Sequence, residues 1–249
     1  MLLENKVAVI SGAATPKGIG LATAQLFAEH GASVALLDLE RQSPDKAAKA
    51  IGEKHNGYVC DVTQKEQCEA VAQQIIGDFG AVDVLINNAG ITQPLRIMAI
   101  QPQNYDAVLD VNLRGMLYLS QAFIPHFLSR GSGSIASTSS VSAITGGGFF
   151  GGPHYSAAKA GMLGLTKDMA RELGPKGIRV NAVAPGMVDT DIRGDKMSQE
   201  IFNKILGTIP MGRIASPREI ASVFLFLASD LSSFVTGATI DVNGGMFIH

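Results

Sequence analysis

Tyr155 and Lys159 stand four residues apart in the run Tyr155-Ser156-Ala157-Ala158-Lys159, so on a helix their side chains are neighbours on one face. A free phenol, with a pKa of about 10, moves protons poorly at neutral pH. A cation held beside it favours the phenolate and draws that pKa down. The pair could then act as general acid and base on a hydroxyl or carbonyl. Ser156, Ala157, Ala158, Ala160 and Gly161 are small, so such a helix could pack tightly and leave both polar heads in a cleft. Ordinary surface helices carry the same spacing. The pair acquires meaning only from what the rest of the chain builds around it.

The elements that must position it read as strands alternating with helices. Strand patterns fall at Val7–Ile10, Ser33–Leu37, Tyr58–Cys60, Val84–Ile86, Ser134–Ser137, Arg179–Ala184 and Thr239–Val242. Helical patterns fall at Gly18–His30, Pro44–Ile51, Gln64–Phe79, Pro102–Leu109, Leu113–Ser129, Tyr155–Leu173 and Pro217–Leu227. Short strands that are apolar throughout predict burial on both faces, as in a parallel sheet covered by helices. The unbroken β-α order predicts one doubly wound α/β domain over residues 1–249. Residues 189–212 are the least patterned stretch.

Composition narrows the function classes. With 46% hydrophobic and 17% charged residues and a net charge of −2, the chain can bury a large core and shows no basic patch for nucleic acid. No apolar run approaches the roughly 18 residues of a membrane span. Met1–Lys6 leads straight into a strand without a secretory pattern, so a cytoplasmic location is expected. Cys60 and Cys68 are the only cysteines, and the five histidines are scattered. The cysteines read as small buried residues, and no metal site is expected.

In such sheets ligands bind at the carboxyl ends of the strands. Gly12, Lys17, Gly18, Ile19 and Gly20 lie in the turn between the first strand and its helix, where glycines let the backbone approach a pyrophosphate. Asp38 ends the second strand. It could accept hydrogen bonds from adenosine ribose hydroxyls and repel a 2′-phosphate, favouring NAD over NADP, or it could cap the next turn. Asp61 could receive the adenine amino group with Val62 packed on the ring, or serve as N-cap for the helix from Gln64. Asn87, Asn88, Ala89 and Gly90 form either a plain turn or a close backbone approach to a nucleotide. Asn112 sits in an apolar helical setting, as a buried kink or a member of a polar site. Ser137–Ser140 end the fifth strand with hydroxyls facing the expected cleft. After the sixth strand, Pro185, Gly186, Val188 and Thr190 turn the chain sharply, where backbone and hydroxyl could meet a nicotinamide carboxamide.

Taken in this order, the Gly12…Gly18-Ile19-Gly20 turn, Asp61-Val62, Asn87–Gly90, Asn112, Ser140, Tyr155-x-x-x-Lys159 and Pro185-Gly186 resemble the short-chain dehydrogenase/reductase family in its roughly 250-residue form. The resemblance runs from Val7 to Gly245 and implies a Rossmann-type fold and hydride transfer with a nicotinamide cofactor. It implies that Tyr155 exchanges the proton, that Lys159 binds the nicotinamide ribose and lowers the Tyr155 pKa, and that Ser140 hydrogen-bonds the reacting oxygen. Asn112 would hold a water of a proton relay, and residues 189–212 would form a substrate lid with Ile192, Met197, Ile201, Phe202, Ile205 and Leu206. Relatives commonly assemble as homotetramers through the helices at Leu113–Ser129 and Tyr155–Leu173.

Two departures stand out. Five residues separate Gly12 from Gly18, more than the family's turn usually holds, and Lys17 occupies a place where NADP-using members often carry a base. Asp38 argues the other way and is preferred here. Ser140 also stands further ahead of Tyr155 than is usual, a spacing that Ser142 meets. Counting from the strand favours Ser140, with Gly146–Gly152 as a lengthened loop whose Phe149 and Phe150 wall the site or cover the sheet edge. The expected reaction interconverts a small-molecule secondary alcohol and a ketone with NAD. The rival readings are an NADPH-dependent 3-oxoacyl-(acyl-carrier-protein) reductase, with Arg130 and Lys176 greeting the acidic carrier, and a non-catalytic dinucleotide sensor.

Overall fold

β1 (Val7–Ser11) is buried at every position, and its side chains alternate between two cores. Ala8 and Ile10 join one apolar cluster, and Val7 and Val9 join the other. β2 (Ser33–Asp38) repeats the alternation, with Val34 and Leu36 on the first side and Ala35 and Leu37 on the second. A strand that is apolar on both faces needs cover on both faces. Helices α1 (Ile19–Glu29), α2 (Pro44–Ile51) and α9 (Pro217–Ala228) cover the first face, and α3 (Lys65–Phe79), α5 (Gly115–Arg130) and α7 (Gly148–Leu173) cover the second. The computed structural model describes residues 1–191 and 199–248, and only the backbone of residues 148–150 and 199.

The remaining strands are β3 (Asn56–Val59), β4 (Val84–Asn87), β5 (Gly133–Thr138), β6 (Ile178–Pro185) and β7 (Thr239–Val242). They complete a seven-stranded parallel sheet in the order β3-β2-β1-β4-β5-β6-β7. Strand order reverses between β1 and β4. The α/β doubly wound, Rossmann-like architecture read from the sequence is what the chain adopts, and the cleft opens where that reversal predicts.

Local differences from the sequence reading have physical causes. β3 starts at Asn56 rather than Tyr58 because the chain must pass under α2. A Cβ on Gly57 would stand 2.1 Å from the Pro44 carbonyl carbon, so only glycine fits. The supposed loop Gly146–Gly152 instead contains the first turn of α7, preceded by the short helix α6 (Ser142–Thr145). α7 breaks at Gly152, with φ 67° and ψ 169°, a backbone shape that favours glycine. The stretch 189–212 carries a further helix, α8 (Gln199–Leu206), whose Ile201, Phe202, Ile205 and Leu206 are half-buried. Ile192 and Met197 of the expected lid lie outside the described residues, as do the side chains of Phe149 and Phe150. Helix α4 (Pro102–Leu109) runs into α5 through a π-helical turn at Asp110–Arg114.

One buried histidine supports β2 from outside the site. The Val34 N–H donates to His55 Nδ1 at 3.2 Å, and burial holds the His55 pKa below its ordinary value. The unfolded chain therefore binds the proton more readily. Stability is fully present above about pH 6.5, the unfolded histidine value, and falls as pH drops below it. His55→Asn keeps an acceptor for Val34 but does not titrate. Its thermal midpoint, followed by circular dichroism from pH 7 to pH 5, is expected to fall less steeply than that of the parent; parallel curves would remove His55 from the acid response.

Candidate active site

A cleft of about 620 Å³ lies along the carboxyl ends of the strands, lined from Asp38 at the end of β2, across the β1 and β4 turns, to Ser140, Tyr155 and Lys159 beside β5. That volume is within the roughly 300–1,000 Å³ of small-molecule and cofactor sites.

The floor is built by close backbone approach. Gly12 has φ +63°, and a Cβ there would stand 2.8 Å from the Ala89 Cα; one on Gly20 would stand 2.3 Å from the Gly12 oxygen. Only glycines let the β1 turn, the start of α1 and the β4 turn meet. The two additional residues of the turn are absorbed by a bend in which the Gly18 N–H donates to the Thr15 oxygen at 2.9 Å. Lys17 rides on that bend, is exposed, and does not line the cleft, whereas Gly12, Gly18 and Ile19 do. Gly20 supports from beneath. The lack of side chains on this floor fits a pyrophosphate approaching backbone amides.

At the β2 end of the cleft, Asp38 is held in place. Its Oδ2 accepts the Ala14 N–H at 2.9 Å and its Oδ1 the Leu39 N–H at 2.8 Å. Asp61 is not an N-cap: α3 starts at Lys65 behind Gln64, and Asp61 Oδ1 instead accepts the Thr63 N–H and Oγ1 at 3.0 and 2.8 Å. Val62 and Thr63 complete that wall. Arg41, which the sequence reading passed over, also lines the cleft next to Asp38. Its position three residues past a strand-end carboxylate was the available signal.

At the other end, Ser140 rather than Ser142 lines the cleft. The Ser142 N–H donates to the Ser140 Oγ at 3.1 Å, and Ser140 also hydrogen-bonds Tyr155. Lys159 is buried, its Nζ donating to the Thr138 carbonyl at 2.6 Å and lying 5.6 Å from the centre of the Tyr155 ring. Asn112 occupies the π-helical turn, buried, with Nδ2 donating to the Ile91 and Val108 carbonyls at 2.8 Å each. Its Oδ1 has no partner. A Cβ on Gly90 would stand 2.7 Å from that Oδ1 and 3.5 Å from Lys159 Nζ, so both polar atoms face the space the glycine leaves open. Pro185, Gly186, Val188 and Thr190 border the same end, as do Asn88, Ala89 and Gly90.

Burial pushes the Tyr155 phenol above its ordinary value, and the Ser140 hydrogen bond, which favours the phenolate, only opposes it. Burial also draws Lys159 down to about 7.

With this geometry in view, similarity to known proteins is informative. A family model described as enoyl-(acyl carrier protein) reductase matches residues 12–247. An uncharacterized short-chain type dehydrogenase/reductase, y4mP, from Sinorhizobium fredii is 54% identical over the full length of both chains. The 3-oxoacyl-(acyl-carrier-protein) reductase FabG of Thermotoga maritima is 42% identical, again over all of both chains. A 3alpha-hydroxysteroid dehydrogenase of Mediterraneibacter gnavus is 39% identical over 98% of each.

The buried lysine sets a stability cost that can be measured. With its pKa held below the free value, the unfolded chain binds more protons between about pH 7 and 10.5, and stability rises with pH through that window. Lys159→Met is expected to lack this rise and to unfold at least about 2–4 °C above the parent near pH 7, the shift of about 1 kcal/mol in a chain of this size. A variant melting below the parent, with the slope intact, would show that Lys159 is not held at the expense of stability.

Proposed function

This chain belongs to the short-chain dehydrogenase/reductase family of NAD(P)-dependent oxidoreductases, and we propose that it interconverts a secondary alcohol and a ketone by hydride transfer with NAD(H), Tyr155 serving as general acid and base. The observation that best supports this is the convergence of Tyr155, Ser140 and Lys159 on one end of a cleft whose other end carries Asp38. The nicotinamide supplies the hydride acceptor or donor, and the chain positions the reacting groups and moves the proton.

In reduction the Tyr155 phenol gives its proton to the carbonyl oxygen; in oxidation the phenolate takes it from the hydroxyl. Ser140 hydrogen-bonds the same oxygen and stabilises the charge that develops there. Lys159, fixed by the Thr138 carbonyl, binds the ribose on the nicotinamide side. Asn112 Oδ1 holds a water against Lys159, and that water returns protons from solvent to Tyr155. One domain carries both cofactor and substrate sites, with a lid near residues 189–212.

The choice of NAD rests on Asp38, fixed by two backbone N–H groups at the cleft wall, while Lys17 stands outside the cleft lining. A second reading, NADPH-dependent reduction of a 3-oxoacyl thioester on acyl carrier protein, draws on Arg41 at the cleft and on the FabG relatives. Against it, Arg130 is already engaged, its guanidinium on the Val82 carbonyl at 2.9 Å and on Asp83 at 3.0 Å. It is a poor anchor for an acidic carrier. Free Cys60 and Cys68 fit a reducing, cytoplasmic compartment. Ala157, Ala160 and Gly164 are exposed on α7, an unfilled small-residue face that suits homotetramer packing; Gly161, by contrast, packs on Leu113 within the chain.

A panel of secondary alcohols and ketones, read at the reduced-nicotinamide absorbance with NAD and NADP side by side, tests the assignment. Tyr155→Phe is expected to lose about 10²–10⁴ in turnover and Ser140→Ala about 10²–10³, whereas Ser142→Ala stays close to the parent. Nearly full turnover in Ser140→Ala would transfer the role to Ser142. A strong preference for NADP would overturn the role given to Asp38.

A further inference from the structure

His154 immediately precedes Tyr155 and takes no part in the proposed proton transfer. It is 2% exposed, and among the described residues neither of its ring nitrogens has a hydrogen-bond partner. Burial holds its pKa below the ordinary value, so the ring is neutral near pH 7. A neutral imidazole carries one N–H donor and one acceptor nitrogen, and enclosing both unpaired is unfavourable unless something else meets them. Gln93, on the loop after β4, is in the same position: its Oε1 is enclosed and has no partner among the described residues.

The loop and the imidazole meet at the break in α7. A Cβ on Gly152 would stand 2.9 Å from the Gln93 carbonyl oxygen, 2.7 Å from that of Leu95 and 3.2 Å from His154 Cε1. Gly151 packs flat on the Tyr155 ring, which a Cβ there would overlap. Glycine backbone thus lies against the phenol on one side and the imidazole on the other. Both elements also border the cleft, through Ile91 on the loop and Tyr155 on α7. Gly146 and Gly152, at φ 87° and 67°, bound the intervening segment, and both have the backbone freedom of glycine.

We propose that His154 and Gln93 form a specificity subsite for a second hydroxyl close to the reacting carbon, so that the preferred substrates are diols and hydroxyketones. The inference rests on the proposed alcohol–ketone chemistry at Tyr155 and narrows its substrate class. The segment between Gly146 and Gly152 moves aside to admit the group, and the chemistry of the pair selects it. A hydroxyl accepts the imidazole N–H and donates its own proton to Gln93 Oε1, meeting unpaired atoms of both residues at once. A carboxylate has no proton for Oε1 and finds no cation beside it: burial alone acts on the imidazole, and Arg96 of the same loop is exposed. An ammonium group cannot accept the N–H. A site whose buried polar atoms pair only with the correct substrate discriminates strongly against the analogue that lacks the matching group.

The full-length protein is assayed near neutral pH, with NADH and with NADPH, on four-carbon ketones that differ in one group: 2-butanone, 3-hydroxy-2-butanone, 4-hydroxy-2-butanone and acetoacetate. The better hydroxyketone is expected to exceed 2-butanone at least about tenfold in kcat/KM, with acetoacetate no better than 2-butanone. His154→Leu and, as a second variant, Gln93→Leu are each expected to lower that ratio at least about fivefold, whereas His154→Asn, which keeps a donor and an acceptor, retains part of it. A merely structural role would lower both rates alike and leave the ratio. A second arm does not depend on turnover. Protein labelled at the histidine ring nitrogens and saturated with the preferred reduced dinucleotide is titrated with 2-butanol, 2,3-butanediol and 1,3-butanediol, which the reduced cofactor cannot oxidise. The His154 nuclear magnetic resonance signal, identified by its absence in His154→Asn, is expected to move with a diol and not with 2-butanol. Equal efficiency for the hydroxyketones and 2-butanone, a preference for acetoacetate, an unchanged ratio in both leucine variants, or an unmoved His154 signal at saturating diol would each overturn the subsite. No turnover of any ketone, with a His154 signal that still moves with diol, would instead overturn the alcohol–ketone reading and leave the subsite standing.

Discussion

The side chain of Asn88 ties the two ends of the cleft together. Its Nδ2 donates to the Ser11 and Gly12 carbonyls at 3.0 Å each, and its Oδ1 accepts the Thr138 hydroxyl at 3.0 Å. The first pair holds the glycine turn at the end of β1. The last reaches the end of β5, where the Thr138 carbonyl carries Lys159. Ser11 reciprocates, its Oγ accepting the N–H groups of Asn88 and Ala89 at 3.0 Å. Each bond is worth about 1 kcal/mol net, but leaving such groups buried and unpaired would cost about 1–3 kcal/mol apiece. The cluster therefore holds as a unit, and it sits at the reversal of strand order, where the sheet itself provides no bridging hydrogen bonds past the strand ends. Turn, ammonium and phenol share one frame.

That frame supports groups that do not favour the folded state. Lys159 is buried on one carbonyl with its pKa drawn down to about 7, Asn112 keeps an unpartnered Oδ1 in a π-helical turn, and α7 is broken at Gly152 three residues before Tyr155. Unpaired buried atoms and irregular backbone of this kind concentrate where function requires them. Large apolar cores on both faces of the sheet supply the stability that offsets these sites. The enclosed Tyr155 phenol, whose pKa burial pushes up, belongs to the same logic.

How much of this was legible depended on whether a role is performed by a side chain or by the backbone. Strands buried on both faces announce themselves as continuous apolar runs, so the sheet, its parallel character and the carboxyl-end location of the site followed from the sequence. Tyr155, Lys159, Ser140 and Asp38 act through their own functional groups and could be found by type and position. Thr138 and Ile91 hold Lys159 and Asn112 through main-chain carbonyls, which any residue offers, so no residue type marked them. The Gly146–Gly152 segment reads as a lengthened loop because it absorbs the extra residues between Ser140 and Tyr155, and spacing alone does not show that extra residues fold into the first turn of a helix. Lys17 was ambiguous for a similar reason. Counting residues cannot tell an elongated turn from one that folds its extra residues into a bend and carries the lysine outward.

Hydrogen bonds also tie the Asp38 carboxylate to the glycine turn. Asp38 anchors the Ala14 N–H inside the glycine turn and the Leu39 N–H beyond β2, and its own carbonyl receives the Cys60 N–H. Removing the carboxylate would leave the N–H of buried Ala14 without that acceptor and would loosen the glycine turn. Arg41 beside it contributes charge but no such anchoring. Any discrimination exerted through Asp38 would thus be coupled to the geometry of the turn it anchors.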